Sequence, residues 1–113
     1  MITLYGIKNC DSVKKARKYL TENGVDYQFH DFRSDGITEE LVQSFISQGG
    51  WESLLNKRST SWKQLDEVDK DNITEEKAIA LFLATPTLIK RPVLVAENHF
   101  FVGFNPENYK NLL

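Results

Sequence analysis

The sequence predicts an α/β fold, and three observations carry that prediction. Strand-like and helix-like apolar periods alternate in the order β-α-β, a helical stretch, then β-β-α. The first two strands are joined through one amphipathic helix with short connections, which implies a parallel, right-handed βαβ unit. The last two strands are separated by a short polar turn, which implies an antiparallel hairpin.

Met1 to Tyr5 reads as the first strand, with apolar Ile2 and Leu4 beside Thr3 and Tyr5, which favour strands. Gly6 breaks it. From Asp11 the period lengthens: Val13, Ala16 and Leu20 recur at helical spacing, with Lys14, Lys15, Arg17 and Lys18 largely on the other faces. Asn23-Gly24 is a helix C-terminal signature, with glycine suited to the left-handed conformation. Val25 to Phe32 then alternates as a second strand.

Arg33 to Gly36 is a polar turn. Thr38 is placed to cap a helix, Glu39 and Glu40 suit its positive first turn, and Ile37 with Val42 can form a hydrophobic staple. Leu41, Val42, Phe45 and Ile46 form its buried stripe, and Gly49-Gly50 ends it. Trp51, Leu54 and Leu55 suggest a further short helix. After the polar stretch Asn56 to Ser61, Trp62 and Leu65 anchor the next segment. Asp66 to Asn72 reads as an acidic, solvated face. Thr74-Glu75-Glu76 opens another helix, so apolar through Leu83 that burial of most of it is expected, and Thr85-Pro86 stops it. Val93 to Val95 and Phe100 to Val102 are the hairpin strands, and Asn105-Pro106 starts a last helix.

The 113 residues suffice for one domain, and an apolar fraction of 41% with seven Phe, four Tyr and two Trp can fill its core. A net charge of −2 gives no reason to expect nucleic acid or an acidic membrane as partner. No signal pattern and no apolar run of membrane-spanning length occur. The single cysteine excludes an intrachain disulfide and fits a reducing compartment such as the cytoplasm. His30 and His99 are far apart and belong to no ligand-spaced motif, so no metal is expected. No self-complementary apolar strip is left over, so a monomer is expected.

That cysteine, Cys10, falls where the first strand gives way to the first helix. The free N–H groups of a first helical turn favour an anion. A thiolate there is stabilised, so Cys10 is expected to have a lowered pKa and to act as a nucleophile. Lys8, Lys14 and Lys15 add to the effect and Asp11 opposes it. Asn9 and Ser12 are candidates for hydrogen bonds to the sulfur.

The element order is that of thioredoxin, as one domain over 1–113 with a helical insertion over about 37–84. Such a fold sets a cysteine at the N-terminus of its first helix and a cis-proline before its third strand. Pro92 is the candidate for that proline.

The chain resembles the ArsC-type arsenate reductase family, and within it the small YffB-like branch, a sister to the Spx regulators. The carriers are Tyr5-Gly6-Ile7-Lys8-Asn9-Cys10-Asp11-Ser12-Val13-Lys14-Lys15-Ala16, Leu54 to Thr60, Pro86 to Val93, and Gly103-Phe104. The resemblance implies that Cys10 is the nucleophile and that Arg91, before the cis-proline, holds an oxyanion or the thiolate. A guanidinium suits both, being a planar fork of donors that stays charged.

Arsenate reductases of this type surround the cysteine with three arginines. Asn56 stands at the first of those positions, with Arg58 two residues on as a substitute, and Phe104 or a neighbour at the last. Spx regulators carry Cys-x-x-Cys, where this chain has Val13 at the second position. The expectation is therefore a thiol-dependent reductase with Cys10 and Arg91 catalytic and Lys8, Asn9, Ser12, Arg58 and Pro92 binding substrate. No cofactor is bound, and with no resolving cysteine an external thiol, glutathione, serves as co-substrate. The alternative is a Spx-like regulator that binds a protein, RNA polymerase by analogy, and arsenate reduction ranks last.

Overall fold

The computed structural model describes residues 1–113. In chain order its elements are β1 (Thr3–Gly6), α1 (Asp11–Glu22), β2 (Gln28–Asp31), α2 (Glu39–Gly49), α3 (Trp51–Leu54), α4 (Thr60–Lys63), α5 (Glu67–Lys70), α6 (Glu75–Ala84), a 3₁₀ turn (Pro86–Leu88), β3 (Val93–Val95), β4 (Phe100–Val102), α7 (Pro106–Tyr109) and a closing 3₁₀ turn (Lys110–Leu112). They fall into two compact units: Met1–Gly36 with Arg91–Leu113, and Ile37–Lys90.

The first unit is a four-stranded sheet in the order β2-β1-β3-β4, with β1 and β2 parallel and the β1–β3 and β3–β4 pairs antiparallel. This is the expected thioredoxin-like arrangement. Register explains its core. Leu4 lies opposite both Phe29 and Leu94, and Leu94 lies opposite Phe101, so four apolar side chains form one row across the sheet. That row packs with Ala16 and Leu20 of α1 and with Tyr109 of α7. Tyr109 is wholly buried, its ring edge-on to Tyr19 and Phe104 and stacked on Phe101. Burial raises the pKa of its phenol, which stays neutral.

Two boundaries differ from the sequence reading. The second strand is Gln28–Asp31 and not Val25 to Phe32, because β1 pairs with only those four residues and Val25 turns its N–H back to Leu20 O of α1 at 2.9 Å. Gly6 is the last residue of β1 and not a breaker. A Cβ there would meet Val13 Cγ2 at 2.6 Å, so the missing side chain is what lets α1 start hard against the strand.

In the second unit, α2 packs against α3 and α6. Thr38 Oγ1 accepts from Leu41 N–H and Thr74 Oγ1 from Lys77 N–H, each at 3.2 Å, so the predicted Thr38 cap is in place and Thr74 caps the helix it was expected to open. Helix α6 buries less than its composition suggested. Ala78 and Phe82 are fully covered, while Ile79, Leu81 and Leu83 are half-buried, since a helix offers its core one stripe. Two short helices were not anticipated. α4 is capped by Ser59, whose Oγ accepts from Trp62 N–H at 3.1 Å. α5 occupies the acidic stretch, where the Lys77 ammonium donates to Val68 O at 2.7 Å and Asp71 O at 2.6 Å. Leu55 and Ile89 form an antiparallel bridge flanked by Asn56 N–H to Leu88 O and Lys90 N–H to Leu54 O. No helix is long and apolar enough to cross a membrane.

The Gly6–Val13 approach yields a direct test. Val13 is fully buried and β-branched, so it cannot swing aside. Gly6→Ala is expected to destabilise the protein by about 1–3 kcal/mol, the cost of overpacking. A urea titration would show a lower midpoint with an unchanged slope.

Candidate active site

The loop Ile7–Cys10 carries the chain from β1 into α1. Cys10 N–H donates to Ile7 O at 3.2 Å, which closes a turn, and Cys10 O accepts from Lys14 N–H at 3.0 Å, the first helical bond. Cys10 is thereby the N-cap of α1, with extended backbone at φ −94° and ψ 128°. A side chain in that position faces the N–H groups two and three residues on, here those of Ser12 and Val13.

Cys10 is half-buried, and its thiol pKa lies below the ordinary value. Burial is the largest single influence and pushes the pKa up. It is outweighed by four attractions acting together: the Val13 N–H, a hydrogen bond from the Arg91 side chain, the Arg91 charge, and the Ser12 N–H. The sulfur makes no capping hydrogen bond of regular geometry, so the two N–H groups act as dipole ends aimed at a large, diffuse anion. Arg91 comes from the far end of the chain, immediately before β3. The Arg91–Pro92 peptide bond is cis, Pro92 is buried, and Pro92 O accepts from Gly103 N–H at 2.8 Å, which continues the β3–β4 pairing past Val93 and Val102. Gly103 has φ +81°, a conformation that favours glycine.

Comparison with known proteins assigns the chain to a family. The ArsC family pattern matches residues 5–112. The chain belongs to the ArsC family. It is 44% identical to the YFFB protein of known structure, with a TM-score of 0.94 over 98% of this chain and 97% of that one. It is 43% identical over 110 residues to an uncharacterised protein of Haemophilus influenzae, covering 97% of this chain and 96% of the relative. It is 29% identical over 115 residues to the global transcriptional regulator Spx of Streptococcus pyogenes serotype M3, covering 100% of this chain and 85% of the regulator.

Of the residues singled out in the sequence, this ArsC-family chain brings Cys10, Ser12 and Arg91 together. Ser12 acts there through its backbone N–H. Lys8 and Asn9 are exposed in the cysteine loop. Arg58 is exposed in the second unit, where its N–H donates to Asn56 Oδ1 at 3.1 Å. Phe104 is packed edge-on against Tyr19 and Tyr109 at 5.9 and 5.0 Å, as a core residue.

Two contributors were missed. Val13 looked like a core residue, which its side chain is, while its N–H serves the sulfur. Asp31 is 6% exposed at the end of β2 and accepts from Lys8 N–H in the cysteine loop. Its signal was parity: it falls on the same alternation as Val25, Tyr27 and Phe29, the apolar side of the second strand.

The alkylation rate of Cys10 against pH is expected to report a pKa below the free value of about 8.5, and Arg91→Ala is expected to raise it. Linkage gives the sign for stability. A lowered folded-state pKa contributes stability that is fully present above the unfolded value and lost as pH falls through the folded one. Unfolding free energy should therefore rise with pH across that window, and Cys10→Ser should remove the slope.

Proposed function

We propose that this protein is a thiol-dependent reductase that works through Cys10 with glutathione as co-substrate. The observation that carries the reading is the convergence of the Val13 and Ser12 N–H groups and the Arg91 guanidinium on one thiol sulfur. Donors arranged this way stabilise the thiolate, which is the nucleophile in disulfide exchange.

The proposed cycle balances without an internal partner. The Cys10 thiolate attacks the glutathione sulfur of a mixed disulfide. The substrate leaves as a thiolate and takes a proton, and Cys10 is left disulfide-bonded to glutathione. A second glutathione thiolate attacks the bound glutathione sulfur, releases glutathione disulfide and returns Cys10 as thiolate. The net exchange consumes one free glutathione per mixed disulfide: the substrate sulfur leaves with the electron pair of its S–S bond, and the incoming glutathione is oxidised as the two glutathione sulfurs join. Arg91 serves two purposes in this scheme: it lowers the energy of the Cys10 thiolate when Cys10 is attacking and again when it is the leaving group, and it offers a fork of donors to a carboxylate of the tripeptide.

A second reading has one observation in its favour, the similarity to Spx along the full chain. In that reading the protein is a regulator that binds a protein partner, RNA polymerase by analogy, and Cys10 carries glutathione as a signal without turnover. Arsenate reduction is the least supported, since by the resemblance Asn56, with Arg58 two residues on, and Phe104 or a neighbour stand where arsenate reductases of this type carry arginines.

The deciding assay is reduction of a glutathionylated test peptide with glutathione as the only reductant. Cys10→Ser is expected to fall to the uncatalysed rate, and Arg91→Ala to lose about 10–100-fold in kcat/KM, the worth of a charge-assisted hydrogen bond. Turnover that survives Cys10→Ser would overturn the reductase reading. A wild-type protein that accepts one glutathione and never releases it would favour the regulator.

A further inference from the structure

We infer that Asp31 is the positioning residue of the cysteine loop, and that it holds Cys10 in register with its donors by clamping the backbone two residues upstream. The inference rests on the reactive-thiol reading above and adds to it a residue remote from the sulfur in sequence.

The carboxylate joins two loops. Asp31 Oδ2 accepts from Lys8 N–H at 3.2 Å, and Oδ1 accepts from Arg33 N–H at 2.8 Å. Its own backbone is pinned as well: Asp31 N–H donates to Asp35 Oδ2 at 2.9 Å, and Asp31 O accepts from Asp35 N–H at 2.7 Å. On the next residue, Phe32 N–H donates to Gly6 O at 2.9 Å, so β1 and β2 are still bonded together where the clamp begins. Asp31 is shielded by the loops it joins and is the one buried charged side chain in the protein. Burial pushes its pKa up, but the N–H groups of Arg33, Lys8 and Ser34 and the Lys8 charge more than offset that, so the carboxylate is held below its ordinary range.

A buried carboxylate saturated by backbone donors fixes those donors in place. Lys8 lies inside the turn that Ile7 O and Cys10 N–H close. Freeing the Lys8 N–H therefore loosens the turn that sets the Cys10 backbone, and with it the alignment of the sulfur against the Val13 and Ser12 N–H groups and Arg91. The charges around the carboxylate are Lys8, Arg33 and Asp35.

The sign of the effect separates positioning from plain electrostatics. Asp31 is an anion, so deleting its charge alone would lower the thiol pKa. Deleting a clamp raises it. The test uses the full chain with Asp31→Ala, Asp31→Asn and, as a control for general loss of stability, Leu20→Ala in the core of α1. Cys10 alkylation is followed against pH, and Lys8 amide exchange is followed by NMR. Asp31→Ala is expected to raise the Cys10 pKa and to speed Lys8 exchange about tenfold or more, the loss of one charge-assisted hydrogen bond. Asp31→Asn keeps one acceptor oxygen, so it should move both readouts in the same direction by less, and it serves alone where Asp31→Ala does not fold. Leu20→Ala should lower the melting temperature and leave the Cys10 pKa in place. A Cys10 pKa that is unchanged or lowered in both Asp31 variants, beside a low wild-type value, overturns the clamp and leaves the reactive thiol standing. An ordinary wild-type pKa overturns both.

Discussion

The site depends on how closely β1 and α1 approach each other. Gly6 ends the strand with no Cβ, and Val13 fills the space a Cβ would take. The same glycine pairs with Asp31 across the parallel ladder, and its carbonyl accepts from Phe32 N–H at 2.9 Å. One residue thus ties the start of the helix, the end of the strand and the end of its parallel neighbour. Every group that bears on the cysteine is then a short step along the chain from that junction: Ser12 and Val13 on the helix, Lys8 in the loop, Asp31 on β2. Arg91 alone comes from elsewhere, and it arrives on the leading end of β3, whose Val93 lies opposite Tyr5.

Cys10 and Asp31 reach their lowered pKa by the same means. Cys10 and Asp31 each feel burial as the largest single influence, and each ends with a lowered pKa because fixed N–H groups face it. Backbone donors of this kind are part of the fold and need no reorganisation when charge appears. The two share no donor: Asp31 takes the N–H groups of Lys8, Arg33 and Ser34, and the sulfur takes those of Ser12 and Val13.

Much of this was legible in the sequence, for identifiable reasons. The helix over Asp11 to Glu22, the hairpin strands, the caps at Thr38 and Asn105 and the helix start at Thr74 were readable because periodicity and capping chemistry are local. The length of β2 was not, because alternation continues past the point where β1 has partners to offer. The helices α4 and α5 were missed because a single turn leaves almost no period to detect. At the site, the Cys10 thiol at a helix start was readable from the change of period beside Gly6. Val13 N–H and Asp31 were not, since one is a backbone group under an apolar side chain and the other needs the β1–β2 register to bring it to Lys8. Pattern reveals which side chains face inward; it does not reveal which loop a buried carboxylate will meet.

One guanidinium of the first unit bears on the thiol. That unit holds Arg17, Arg33 and Arg91. Arg17 is committed to the sheet, with its guanidinium 4.3 Å over the Phe29 ring and its Nε donating to Tyr27 hydroxyl at 3.0 Å. Arg33 has an exposed side chain and gives its backbone N–H to Asp31. Arg91 is the one whose charge reaches the sulfur. A single guanidinium with two N–H dipoles offsets the charge of one thiolate. A tetrahedral oxyanion spreads its charge over several oxygens at once, and each unmatched oxygen in a partly buried site keeps its desolvation cost. Phe104 is packed edge-on against Tyr19 and Tyr109, which joins α7 to α1. Within the first unit the thiol's donors are thus one guanidinium and two backbone N–H groups, while Phe104 belongs to the aromatic packing around Tyr109.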